Sequence, residues 1–296
     1  MSTVRNFWLT NADDVRFELK DRNIANTISF LHEPEGLGYN VELSTVKLGN
    51  TDIILSEQYN LPPVAGDLIF IGSVPEAYQQ YQNLLTFLAR RPITLHYLPP
   101  NTNDGYRCLV RVTSLEKTEV SAEDGCLHCP IQFYRQSLWY QDEPTQLEVD
   151  NNTADGKQYP LDRPYSYGAL SLKNVQMMNK GMTDTGVKIE IYGSVTDPEW
   201  ALYDSEGTQY GAAKIIGTYD YVRVNSDDAE EEIHLERGGS SIANAVNYQD
   251  LTVGSPQQIY VTFLKLRPGM STLMFDLGDD FDGYVRLTWS NAYVSV

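Results

Sequence analysis

With 296 residues, 42% of them hydrophobic and 11% aromatic, the chain can bury one large β domain or two cores of ordinary size. Its formal net charge of −18 opposes binding to nucleic-acid phosphates and to anionic membrane surfaces, and it favours solubility. Three cysteines indicate no disulfide framework, and no run approaches the ~20 apolar residues that a membrane helix needs.

The opening MSTVRNFWLTNADDVRF has no apolar signal core and no cleavage site, so synthesis and folding in a cytoplasm are expected. VRFELKD alternates loosely. SFLHEPEGLGYNVELSTVKLGNTDIILSEQ reads as short strands broken by Pro34, Gly36, Gly38 and Gly49. After the apolar run DLIFIGSV comes the one long helix, expected over about 73–91. Ser73 and Glu76 form a capping box, Pro75 sits in the first turn, and Arg90 and Arg91 lie where the macrodipole favours cations. Val74, Tyr78, Tyr81, Leu85 and Leu88 step at helical period and predict the buried stripe. Gln79, Gln80, Gln82, Asn83 and Thr86 predict the wet face. ITLHYLP, GYRCLVRVTSLEKTEV and CLHCPIQFYRQSLWYQ then read as strands. Residues 1–140 are therefore expected to form an antiparallel β domain with one helix packed on it.

Residues 141–163 are poor in large apolar side chains and predict a linker. Residues 164–296 show VKIEIYGSV, PEWALYD, AAKIIGTYDYVRVN, EEIHLERG, QIYVTFLKL, STLMFDLG and YVRLTWSNAYVSV. Some seven strands with turns between them predict a β-sandwich.

Candidate chemistry is sparse. Cys126-Leu127-His128-Cys129 looks like half a zinc site, but Cys108, His32, His96 and His234 lack ligand spacing, so two reduced cysteines on a strand or turn are expected. Asp279, Asp280 and Asp282 before Gly283, and Asn151, Thr153 and Asp155 before Gly156, suggest calcium without matching a calcium-loop pattern. Ordinary acidic turns are the better account. No nucleophile elbow, zinc-protease helix or phosphate loop is present, so no enzyme, cofactor or metal is expected. Trp200, Tyr203 and Tyr210 could form an aromatic sugar platform, although a sandwich more often buries such residues.

Several features in order carry a resemblance. A β domain bears the helix EAYQQYQNLLTFLARR and then ITLHY. A strand pair ends in FYRQSLWYQ at the domain boundary. The linker opens into YPLDRPYSYGALSLKN, IEIYGSVTDPEW starts a sandwich, and LKLRPGMSTLMFDL lies near the end. Together these resemble the distal tail protein of long-tailed phages, over about 1–140 and 160–296. The resemblance implies a mainly β fold: an N-terminal β-barrel or sandwich with one helix, and a galectin-like C-terminal sandwich. It implies a homohexameric ring at the tail tip, between the tail-tube protein and the tail-associated fibre or lysin protein. Receptor-binding or other baseplate parts would be anchored outside, and DNA would pass through the channel without specific binding. A virion protein of this kind is made in the host bacterial cytoplasm and requires no membrane. The galectin sugar motif is missing: His234-Leu235-Glu236-Arg237 does not match it, and Trp200 is followed by Ala201 and Leu202. Two alternatives remain, a minor tail protein whose C-terminal sandwich binds host cell-wall carbohydrate, and a glycan-degrading enzyme.

Overall fold

The computed structural model describes residues 5–20, 28–150, 172–227, 231–245, 259–261, 263–278 and 281–296. They fall into two compact units, Met1–Glu143 with Tyr293–Val296, and Pro144–Ala292. No helix is long and apolar enough to cross a membrane among the described residues.

The first unit contains β1 (Asn6–Thr10), β2 (Arg16–Lys20), β3 (Ser29–Glu35), β4 (Asn40–Leu48), β5 (Thr51–Asn60), β6 (Val64–Phe70), α1 (Val74–Leu88), β7 (Ile93–Leu98), β8 (Tyr106–Leu115), β9 (Leu127–Arg135) and β10 (Trp139–Gln141). The main antiparallel sheet runs β2-β1-β7-β8-β9-β6-β3. Its ladder does not close into a barrel. The ends approach where the Ser29 hydroxyl donates to the Glu18 carbonyl at 2.7 Å. Alternation supplies the core: Ile93, Leu95 and Tyr97 of β7 point inward, as do Leu127, Cys129, Ile131 and Phe133 of β9. GYRCLVRVTSLEKTEV is strand only as far as Leu115, and Val120 rejoins through a single bridge to Leu127.

The helix covers this core with a face turned away from the expected one. Ala77, Tyr81, Leu84 and Phe87 are buried, Tyr78 and Leu88 flank them, and Val74 and Leu85 remain 50% and 39% exposed. The sequence stripe passed over Ala77 because alanine is a weak marker of burial, and it passed over Leu84 and Phe87 in favour of neighbours one position on. Tyr81 meets Phe70 edge-on at 6.4 Å and Phe87 tilts against Phe17 at 5.6 Å. The capping box forms as expected. The Glu76 carboxylate accepts from both the Ser73 N–H (2.9 Å) and the Ser73 hydroxyl (2.7 Å), and these bonds hold its pKa low. The helix stops at Leu88, three residues early, because a residue before proline disfavours helical geometry and the chain must turn at Arg91-Pro92 into β7. Arg90 leaves the helix end to pair with Asp13 in the β1–β2 turn.

Arg135 is 3% exposed and has no carboxylate partner among the described residues. It donates instead to the carbonyls of Gly38 (2.8 Å), Val294 (3.1 Å) and Gly36 (3.3 Å), and its guanidinium lies 5.5 Å from the Trp139 ring centre. Tyr293 packs edge-on against Tyr106 at 5.3 Å, so residues 293–296 complete this unit.

The second unit contains β11 (Thr145–Asp150), β12 (Leu172–Asn179), β13 (Thr185–Thr196), β14 (Glu199–Tyr203), β15 (Gln209–Ile215), β16 (Thr218–Asn225), β17 (Glu232–Arg237), β18 (Ser240–Ala245), β19 (Ile259–Val261), β20 (Lys265–Leu266), β21 (Gly269–Asp276) and β22 (Tyr284–Trp289). Two antiparallel sheets, β11-β22-β13-β16-β17-β18 and β12-β21-β14-β15-β19, form the sandwich. Trp200, Ile191, Tyr219, Leu235, Phe275 and Leu287 share its core. Three expectations change here. Residues 145–150, inside the stretch expected as a linker, pair along β22 because Leu147 and Val149 have the alternation of an edge strand. AAKIIGTYDYVRVN is a hairpin rather than one strand, turned at Gly217 with φ 125°. The strand count also exceeds seven, because several apparent strands divide at turns. In β13, Gly193 (φ 116°) opens a bulge, and a Cβ there would lie 2.6 Å from the Asp282 carbonyl oxygen. YPLDRPYSYG lies outside the described residues.

The helix faces make unequal demands on stability. Leu84→Ala should cost about 2–5 kcal/mol in urea unfolding at high dilution, and Leu85→Ala under about 1 kcal/mol. Equal losses would place the buried face wrongly.

Candidate functional surfaces

Cross-strand pairing builds two histidine clusters in the first unit. Trp8 and His96 are partners across β1 and β7, and their rings stack at 4.9 Å. Thr10 Oγ1 lies 2.9 Å from His96 Nε2, and Asp142 Oδ1 lies 2.8 Å from His96 Nδ1. A hydroxyl, an imidazole and a carboxylate in line are what nucleophilic catalysis requires. Here Thr10 sits within a strand ladder and the Trp8 indole stacks on the imidazole. The cluster links β1, β7 and the residue after β10.

The second cluster surrounds the cysteine stretch. His128 Nδ1 is 2.5 Å from Asp67 Oδ2, and Nε2 is 2.8 Å from Asp124 Oδ2. The Asp67 bond is the main cause of a raised imidazole pKa, with Asp124 adding to it and partial burial opposing it. Asp124 falls to about 2, chiefly because it accepts from the Cys126 N–H and then from His128. Burial pushes the Cys108 thiol up to about 12 and also raises Cys129. Both thiols are buried and pack within the core of the first unit. No group of three or more His, Cys, Asp or Glu is arranged to hold a metal among the described residues. Asn151–Gly156 and Asp279–Asp280 lie outside those residues.

Of the three sugar-platform residues, Trp200 is withdrawn from the surface, and Tyr203 and Tyr210 lie on the β14–β15 hairpin. Trp200 is 1% exposed and belongs to the sandwich core, because Ala213 and Phe275 flank it across β15 and β21. A buried indole offers no stacking face. Tyr203 is partly exposed and its hydroxyl donates to Gln209 at 3.4 Å. Tyr210 lines a groove of about 520 Å3, with Arg267 4.4 Å over its ring and its hydroxyl donating to Ser271 at 2.8 Å.

Sequence reasoning missed a tyrosine surface on the other sheet. Tyr192 stacks on Tyr284 at 4.6 Å and lies 4.9 Å from Tyr221. Glu190 accepts from the Tyr221 hydroxyl at 2.9 Å and the Tyr192 hydroxyl at 3.3 Å, while Arg286 sits over Tyr192 at 5.3 Å and pairs with Glu148. Burial, and then Glu190, raise the Tyr221 pKa. The available signal was the recurrence of Tyr and Arg at the positions between the inward residues of three strands.

Among the described residues the most exposed apolar surface is the β4–β5 hairpin, which forms a two-stranded sheet of its own. Val41, Leu43, Val46, Leu48, Ile53 and Leu55 are all exposed, with Leu48 at 68%. A second apolar surface is a groove of about 500 Å3 where Leu85 and Leu88 of α1 face Ile93 of β7 and Val112 and Leu115 of β8.

Residues 6–136 match the model of the family described as distal tail protein, N-terminal domain. No curated protein matches the chain. Two solved structures of the phage p2 baseplate in its activated conformation, with calcium and with strontium, match at 15% identity. Both alignments cover 99% of this chain and 100% of the other, with TM-scores of 0.59 and 0.60. The Dit protein of phage SPP1, described as a hub adsorption apparatus of phages infecting Gram-positive bacteria, matches at 15% identity. That alignment covers 96% of this chain and 98% of the other, with a TM-score of 0.59. The mainly β fold is shared, and the resemblance to the phage distal tail protein read from the sequence is borne out.

The His128 cluster predicts a pH window. The cationic His128 contributes stability fully below its unfolded pKa of ~6.5, and that contribution is lost as pH rises through the raised folded value. Asp124 contributes above its unfolded value of ~3.9, lost as pH falls towards about 2. NMR titration should show the His128 ring titrating above ~6.5, and Asp67→Asn should lower that midpoint. An unchanged midpoint in the variant would remove Asp67 as the cause.

Proposed function

We propose that this chain, whose first unit matches the N-terminal domain of phage distal tail proteins, is the structural hub of a long-tailed phage or prophage tail tip. The family match over residues 6–136 carries the reading, and the fold shared with the p2 and SPP1 proteins along nearly the whole chain supports it. In this reading six copies form a ring through their first units. The ring joins the tail-tube protein to the tail-associated fibre or lysin protein, and the sandwich anchors receptor-binding or other baseplate parts. The hub sits at the tail tip of the virion after synthesis in the host cytoplasm.

The work of such a protein is mechanical. It needs stable units, defined contacts and an opening through which DNA passes. A net charge of −18 suits that passage, because carboxylates repel phosphates and leave no long-lived contacts. The two histidine clusters fit a structural role, since each imidazole is engaged with a carboxylate neighbour.

Light scattering on the purified chain should give six copies of 33.5 kDa, about 201 kDa. Negative-stain images of that peak should show a central hole. A compact dimer, or a mass with no pore, would contradict the ring. A monomer that bound saccharide would favour the carbohydrate-binding alternative.

A further inference from the structure

The sandwich holds a groove that the hub role leaves unused, and its origin lies in the strand pairing. β19 pairs with β15 only from Ala213 to Ile215. The chain then joins the other sheet, where Lys265 and Leu266 of β20 pair with Gly186 and Thr185 of β13. This departure opens a groove of about 520 Å3 beside residues 209–212, within the ~300–1,000 Å3 of small-ligand sites. Phe263 and Leu264 supply an apolar side. Gly211 brings the β15 backbone against it, since a Cβ there would lie 2.6 Å from Leu264 Cδ2. Gln209, Asp184 and Arg267 supply a polar rim.

The walls are held in shape by the fold itself. Asp204 closes the β14–β15 turn by accepting from the N–H groups of Glu206 (3.0 Å) and Thr208 (2.8 Å), which fixes Gln209 and Tyr210 at the mouth. Tyr203 donates to the Gln209 amide oxygen at 3.4 Å, which leaves the amide N–H2 as a donor for a ligand. The Tyr210 hydroxyl donates at 2.8 Å to Ser271, a buried residue, and so pins the ring. Arg267 lies 4.4 Å over that ring and forms no ion pair among the described residues, whereas Lys265 pairs with Glu231 at 3.8 Å. Arg267 is thus an uncommitted cation in a chain of net charge −18. Stacking holds a guanidinium flat with its edge N–H groups unspent, and these take a carboxylate or phosphate in two parallel hydrogen bonds.

We propose that this groove binds an acidic saccharide, a sugar that carries a carboxylate or a phosphate. A pyranose ring has the mixture that the groove offers, an apolar C–H face for Phe263 and Leu264 and hydroxyls for Gln209 and Asp184. Its acid group meets Arg267, which the Tyr210 ring keeps in place. A free anion would leave the apolar side uncovered, and a neutral sugar would leave the guanidinium unanswered. The sequence suggested a platform built on Trp200; the site proposed here is centred on Tyr210 and Arg267 instead. It lies wholly within the second unit, so it adds a binding function to the hub and stands or falls independently of the ring.

The test uses the full chain, with glucuronate and glucose 6-phosphate as probes and glucose and inorganic phosphate as controls. Binding is read by saturation-transfer NMR and calorimetric titration. At least one acidic sugar should bind at millimolar concentration, more tightly than glucose or phosphate, and the one that binds identifies the acid group. Arg267→Ala should weaken that binding by about tenfold or more. Gln209→Glu, at an exposed position, sets a carboxylate on the rim and should do the same with the circular dichroism spectrum unchanged. Arg16→Ala, in the first unit, should change nothing. Equal binding of phosphate and glucose 6-phosphate would reduce the groove to an anion site, and equal binding of glucose would remove Arg267 from it; either overturns the proposal. Undiminished binding in both groove variants would overturn it as well. So would failure of both acidic sugars, and a Glu-rich peptide that bound in their place would mark a protein-docking groove. None of these results bears on the mass of the ring.

Discussion

The first unit is organised by the need to cover one face of an open antiparallel sheet. Alternation places Leu95, Phe133, Leu68 and Phe70 on that face, and none of them can be left to water. A single helix meets the need by setting Tyr81 against Phe70 and Phe87 against Phe17. The Ser73–Glu76 cap and the turn at Arg91-Pro92 fix where it begins and ends. With the helix so placed, β7 returns beside β1, and the cross-strand clusters of His96 follow. The second unit solves the same problem differently, by laying two sheets against each other around Trp200 and Phe275.

Polar groups in both units are arranged as braces. Asp67 and Asp124 grip one imidazole, Asp142 and Thr10 another, and Glu190 holds two tyrosine hydroxyls. Each brace joins residues from different strands, so each resists sliding of the sheet. That is a sensible use of polar side chains in a protein whose proposed task is to keep its shape under load.

Much of the fold was legible because its signals are local. The cap, the proline in the first turn and the alternation in ITLHYL and CLHCPIQFYR act over a few residues and survived into the structure. The face of the helix was harder to read. The choice between Leu84 and Leu85 depends on which side the sheet approaches, and both are leucine. The braces could not be read at all, since His96 and Asp142 are 46 residues apart and His128 and Asp67 are 61 apart. Trp200 could have been core or platform by composition, and only its partners across β15 and β21 decide. The hairpin was read as ordinary strands because sequence shows apolar residues and says nothing of what fails to cover them.

Arg135 gives the first unit an unusual dependence on time. Its buried guanidinium needs the Val294 carbonyl, which the ribosome delivers only after the whole second unit has been made. Until then a cation lacks one of its acceptors and Tyr106 lacks its packing partner. The guanidinium then has only the Gly36 and Gly38 carbonyls among these three acceptors. A chain that ends before Tyr293 therefore lacks both contacts.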